Sequence, residues 1–323
     1  MNPMDWVTES TALGTARATA DLRSLLVAGF TTVRDMGSTT GLGLRDAVTA
    51  GDIPGPRIFT SGRAISQTGG HGDSHSLPYE WVVDKGIGIS TLADGADECR
   101  KTARQRIREG VDCLKIMTTG GVLSERDAPG QSQFTNAEVS ALVEEAHRVE
   151  IPVASHAQGA AGVKRALEND VDTIEHGFHL DQEALELFAE TGATFVPTLA
   201  IMYRILEHGA DHGVPEHALQ KARAASEAHI VSVRTAYEAG IPLATGTDFL
   251  GPELVPHGEN ALELELLVEQ VGLSEQEAIE AATGVAAQTV AATDVGTLRP
   301  ESHADYVVAD DPLSDITSLH EPL

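Results

Sequence analysis

Four side chains in the second half of this chain have the types and placement that metal-assisted chemistry needs: Lys115 in DCLKIM, His156 in IPVASHA, His176 in DTIEHG and Asp248 in IPLATGTD. A neutral imidazole and a carboxylate are typical donors to a divalent cation. Either histidine alone would more often be a hydrogen-bonded core residue, but the same position on consecutive apolar runs favours ligands. An ammonium cannot bind a cation, yet burial and neighbouring positive charge depress a lysine's pKa. The neutral Lys115 amine could then add carbon dioxide to give a carbamate, a carboxylate analogue able to bridge two cations. A lysine paired with a strand-end acid explains Lys115 equally well. Asp248 could touch a metal and accept a proton from water whose pKa the metal lowers toward neutrality.

Each of the four residues closes a short apolar run that reads as a buried parallel strand, and the C-terminal strand ends of a (β/α)8 barrel are where that fold keeps its active site. The runs GFTTVRDMG, PRIFTSG, VDCLKIM, IPVASHA, VDTIEHG, ATFVPTL and IPLATGTD give seven predicted strands. Helices are predicted over 94–109, from Thr135 in a capping-box pattern, over 160–169, 181–191, 216–239, 259–271 and 274–291. An open doubly wound sheet also alternates strand and helix, but it would need a glycine-rich phosphate turn that does not occur here. The expectation is a TIM-like α/β barrel over residues 1–294 that lacks its first strand, because residues 1–19 offer no buried run. The tail 295–323 is expected to place one extra strand outside the barrel. None of the thirteen histidines has another two positions away, so a His-x-His pair is missing as well.

With 323 residues and 41% apolar content the chain can bury a large core. The formal charge of −27 is dispersed, and only five of the 22 basic residues are lysine. Such a surface disfavours nucleic acid and anionic membranes, and its self-repulsion is screened best by high salt, which points to a halophilic origin. No apolar segment reads as a membrane span and no leader is apparent, so a cytoplasmic protein is expected. Cys99 and Cys113 form no C-x-x-C pair and read as structural thiols.

The ordered set LLVAGFTTVRDMGS, QTGGHGD, LKIMTTGGVLS, ASHAQG, TIEHGF, VPTL, ATGTD, HGENALELELLVE, EAIEAATGVAA and VGTLRPESHADYVVADDPLSDI resembles the amidohydrolase superfamily over roughly residues 20–318. Within it the chain is most similar to imidazolonepropionase-like hydrolases and carboxylated-lysine prolidases. The resemblance implies a binuclear, usually zinc, centre at the barrel mouth, with Lys115 as the carboxylated bridge, His156 and His176 on the second metal, and Asp248 as ligand of the first metal and general base. It further implies that Tyr203 polarises the substrate carbonyl and that His71 lies against the substrate; as a buried loop aromatic and a turn histidine, both have plain structural readings too. His179 is expected at the surface and His257 behind the site, while Lys221 serves as an example of an ordinary surface lysine. The substrates implied are dipeptides, N-acyl amino acids or cyclic amides. A mononuclear deaminase on the same fold is disfavoured by Lys115, which such enzymes do not use.

Family members begin with strands of a small β-sandwich and a barrel strand ending in His-x-His. A start roughly 50–80 residues upstream would supply both; otherwise the chain is a catalytically impaired fragment binding at most one metal. Without that strand an exposed sheet edge is expected, and with it self-association into a homo-oligomer.

Overall fold

The computed structural model describes residues 9–124, 126–251 and 253–323. Helix α1 (Thr11–Val27) starts at Ser10, whose hydroxyl accepts from the Leu13 N–H, and buries Leu22 and Leu25. Strand β1 (Thr32–Asp35), helix α2 (Gly41–Ala50) and strand β2 (Arg57–Thr60) follow, and β1 pairs with β2 in parallel from Thr32–Arg57 to Asp35–Thr60. Two three-residue strands come next: β3 (Ala64–Ser66) and, after α3 (Tyr79–Val83), β4 (Ser90–Leu92).

The regular β/α repeat then sets in. Helix α4 (Ala96–Glu109) leads into β5 (Leu114–Met117), and α5 (Asn136–His147), closed at its start by the Thr135–Glu138 capping box, leads into β6 (Val153–Gly159). Helix α6 (Ala160–Leu167), β7 (Thr173–His179), α7 (Gln182–Thr191) and β8 (Thr194–Val196) complete the series. These strands form one parallel six-stranded sheet in the order β4-β3-β5-β6-β7-β8, separate from the β1–β2 pair. Every residue of β5, β6 and β8 is buried, as strands covered on both faces require.

Helix α8 (Leu199–His208) packs on α9 (Glu216–Glu238), which lies against β7, followed by α10 (Leu262–Leu266) with a π-helical turn Leu267–Val271, α11 (Glu275–Ala282) and α12 (Gly284–Gln288). No described helix is long and apolar enough to cross a membrane.

Three expectations need correction. The run IPLATGTD is not a full strand: Leu243 makes a single parallel bridge to Phe195, and beyond it the chain leaves the sheet. The break comes at the small residues Ala244-Thr245-Gly246, where the Thr245 N–H turns to the Ala281 carbonyl instead of to β8. The two strands β3 and β4 escape a reading of periodicity because three residues carry no pattern. The tail forms no strand either, only a 3₁₀ turn at Ile316–His320, since no described strand lies alongside to accept its hydrogen bonds. It is fastened instead by side chains, with Asp305 paired to Arg57.

Candidate functional site

The lumen-facing side chains follow from register. Lys115 is opposite Ala154 and Met117 opposite His156, while Ala154 and His156 in turn are opposite Thr173 and Glu175. Residues opposite one another in a parallel sheet share a face, so Lys115, His156 and Glu175 look the same way. His176 should then face away. It does not, because it takes a left-handed φ of 78° and breaks the pleat, and its ring meets that of His156 edge-on with centroids 4.5 Å apart. Gly177 continues the left-handed backbone at φ 54°, with Phe195 so near that a Cβ would lie 2.5 Å from its ring. Thr198 (φ 58°) and Asp248 (φ 56°) are also left-handed. Such conformations are costly for Thr and hold only where neighbours over-determine them, and they concentrate at functional sites.

Those neighbours are identifiable. His176 Nδ1 is 2.7 Å from Thr198 Oγ1, while its Nε2 makes no hydrogen bond among the described residues, and His229 of α9 holds the Pro197 carbonyl at 2.9 Å. Glu263 of α10 accepts the Leu199 and Ala200 N–H groups at 3.0 and 2.7 Å, capping α8 just past the Thr198 kink. Asn260 donates to Thr247 Oγ1 at 2.7 Å and so steadies the turn that presents Asp248. Asn260 and Glu263 of the HGENALE segment are thus scaffolding for two site-bearing turns.

Lys115, His156 and His176 are all buried. Loss of water lowers the Lys115 pKa, partly offset by the charges of Glu175 and Asp248. The same effect, with Lys115 and the neighbouring rings adding to it, keeps His156 and His176 well below the usual histidine range, hence neutral. Asp248 is reachable by solvent at the mouth, yet enclosed enough by the surrounding walls that its carboxyl is raised. His71 is stacked on His156 at 4.0 Å and 17°, with Nδ1 3.2 Å from Ser124 Oγ. His156 Nε2 lies 3.2 Å from the Gly120 carbonyl.

Five of the six expected site residues therefore form one connected neighbourhood: His71, His156 and His176 through their rings, and Lys115 and Asp248 through their mutual charge. Tyr203 stands apart, 40% exposed on α8 and without a hydrogen bond among the described residues. His179 is exposed as expected, and His257 is half-buried with Nδ1 unpartnered. Cavities of about 360 Å³ along α4 and about 540 Å³ between α1 and the 257–258 turn, the latter lined in part by His257, include none of the six expected site residues.

Three participants escaped the reading of motifs. Glu175 accepts from Arg34 Nη2 at 3.0 Å and from Thr173 Oγ1 at 2.6 Å, inside the lumen; a carboxylate at an alternating position of a buried run was its signal. Arg34 belongs to β1, so this ion pair ties the small sheet to the large one. Gln158, two residues after His156, keeps a buried Oε1 with no partner among the described residues.

A model of the amidohydrolase family matches residues 2–322. The chain belongs to the amidohydrolase family. Ochratoxinase of Aspergillus niger is 35% identical over 308 residues, which covers 91% of this chain and 63% of that protein. Its crystal structure superposes with a TM-score of 0.91 at 33% identity, over 99% of this chain and 75% of that one. A prolidase complexed with N-methylphosphonate-L-proline gives a TM-score of 0.91 at 34% identity, over 99% and 78% of the two chains. An imidazolonepropionase of Cereibacter sphaeroides is 26% identical over 199 residues, 60% of this chain and 45% of that protein. The chain thus spans less than two thirds of the length of these curated relatives. The expected barrel class and the expected branch of the superfamily both stand.

Proposed function

We propose that this chain is a metal-dependent hydrolase of C–N bonds in small amides, with dipeptides and N-acyl amino acids as its substrate class. What supports the reading is that Lys115, His156 and His176 stand on the neighbouring parallel strands β5, β6 and β7, with Asp248 close enough for its charge to act on Lys115, in a chain whose relatives include an ochratoxinase and a prolidase.

The donors suit a divalent cation, for which we assign zinc. His156 and His176 are kept neutral, His176 Nε2 makes no hydrogen bond among the described residues, and Gln158, two residues past His156 on β6, keeps a buried Oε1 without a partner among them. Among the described residues no three of His, Cys, Asp and Glu surround one point, so these residues fit one cation held with the help of Lys115 and not a ready-made pair. When bound, the cation would polarise the amide carbonyl and make water more acidic. Lys115, biased toward its neutral amine, would attack the carbon of carbon dioxide and release one N–H proton, leaving an anionic carbamate as an oxygen donor. Asp248, raised toward the working range of a general base, would take the proton of the attacking water and deliver it to the leaving nitrogen. His71 would bear on the substrate, whereas Tyr203, apart from the cluster, is given no role.

Elemental analysis paired with kinetics on a panel of prolyl dipeptides and N-acyl amino acids tests this. Asp248→Asn should keep most of the metal while hydrolysis falls roughly 10²–10⁴-fold, the usual loss when general acid–base catalysis is removed. Lys115→Ala should lose both metal and turnover, whereas Lys164→Ala, at a lysine paired with Asp181 and Glu183, should lose neither. Unchanged metal content and turnover in the Lys115 variant would overturn the proposal.

A further inference from the structure

Lys221 is not the ordinary surface lysine that its place on an amphipathic helix suggests. From α9 it turns its ammonium into the loop that follows β5 and donates to the carbonyl oxygens of Asp127 at 2.6 Å, Ser124 at 2.7 Å and Gly121 at 3.4 Å. An ammonium has three N–H donors and no acceptor, so one loop supplies its complete set of partners. Holding a lysine side chain still costs conformational entropy, which charge-assisted bonds to three dipoles offset. Without the cation, three carbonyl oxygens turned toward one point would repel one another and the loop would open.

That loop is also tied from within. The Asp127 carboxylate accepts the Gly121 N–H at 2.9 Å and the Ser124 hydroxyl, and Gln133 Nε2 approaches it at 3.4 Å. Gln133 sends its own N–H to the Thr118 carbonyl at 2.7 Å and uses Oε1 to accept the His71 N–H at 2.9 Å. Ser124 Oγ meets His71 Nδ1, and Gly121 lies so close that an added Cβ would stand 2.1 Å from the His71 ring. Apart from the stacked His156 ring, these contacts to His71 all come from residues 118–133.

We propose that Lys221 is a positioning residue: by gathering the carbonyls of Gly121, Ser124 and Asp127 it holds the 118–133 loop against the site and so fixes the place of His71. The anchoring itself is independent of the reaction. Its effect on substrate rests on the reading given under Proposed function.

Hydrogen–deuterium exchange on the full chain, comparing wild type with Lys221→Met, Lys221→Arg and Lys164→Met, separates the two. Lys221→Met keeps the aliphatic stem and removes the charge. Exchange in peptides spanning 118–133 and 67–75 should rise about tenfold or more, the scale expected for losing bonds to a charged donor, while peptides from β6 to β8 stay at wild-type rates. Lys221→Arg should recover part of the protection and Lys164→Met should change neither segment. On a cleaved amide, Lys221→Met should raise KM more than it lowers kcat, because His71 bears on the substrate and not on the proton transferred. Wild-type exchange in both peptides of Lys221→Met, or an equal rise along the whole chain, would overturn the proposal. The expected exchange pattern in a chain that cleaves no amide would leave the anchor standing and remove the proposed function instead.

Discussion

The two parallel sheets of this molecule are built to different standards. In the six-stranded sheet, β6 is buried along all seven residues and β5 and β8 throughout, and Phe178, Phe188, Phe195, Leu114, Ile116 and Ile174 fill the space beneath with almost no exposure. In the two-stranded sheet every residue of β1 is only half-buried, and its core amounts to Leu22, Leu25, Leu44 and Ile58 with a few partly covered neighbours. The site residues Lys115, His156 and His176 all stand on the larger sheet. A strained backbone such as that of His176 needs rigid surroundings to persist, and only the larger sheet provides them.

The contrast can be broken most directly by cutting the two cores. Phe195→Ala in β8 should lower unfolding stability by about 3–5 kcal/mol, and Val33→Ala in β1 by about 1 kcal/mol, as partial burial implies. Equal shifts in urea midpoint would mean that the two sheets are equally well packed. Next comes the link between them. Arg34→Met leaves the buried Glu175 carboxylate without its guanidinium and should cost about 3 kcal/mol, most of it recovered in Arg34→Met/Glu175→Gln. If the double variant is no more stable than the single one, the pair is not what joins the sheets.

A third test sharpens the comparison through pH. Burial drives His229, beneath the site, down to about 3. Its folded pKa lies below the unfolded value, so the unfolded chain takes up the proton first as pH falls. The stabilisation from the neutral ring is complete above about 6.5 and drains away as pH drops from there toward 3, by about 2 kcal/mol at pH 5. His229→Gln, which can still donate to Pro197, should therefore show a flatter fall in melting temperature between pH 7 and 5. Parallel curves for the two proteins would mean that His229 is not the group responsible.

What could be read ahead of the structure follows the same division. Strands β5 to β7 are continuous apolar runs bounded by glycine and charge, and they carry Lys115, His156 and His176, although within the strands and not at their ends, because the ladders run on past the apolar residues. Asp248 joins them although its own run does not stay in the sheet, because Asn260 and Thr247, and not a ladder, present it. The pairing of Glu175 with Arg34 is not legible in the sequence, since each is a lone charge in an apolar run whose partner, 141 residues away, is set by tertiary closure alone. Lys221 was misjudged because helical periodicity reports which side of a helix is wet, not how far a long side chain reaches. The tail resembles a strand in composition, yet Tyr306, Val307 and Val308 remain exposed, since β character needs an adjacent backbone to be realised.

The Arg34–Glu175 pair spans 141 residues of chain. At a synthesis rate of 5–20 residues per second, roughly seven to thirty seconds separate the appearance of the guanidinium from that of the carboxylate that receives it. During that interval the first sheet is a parallel pair crossed over by α2, with a cation on β1 and a small core of Leu22, Leu25, Leu44 and Ile58. The order of manufacture thus leaves the amino-terminal segment waiting for the carboxylate on β7, and any chaperone that attends this chain on the ribosome has its longest task there.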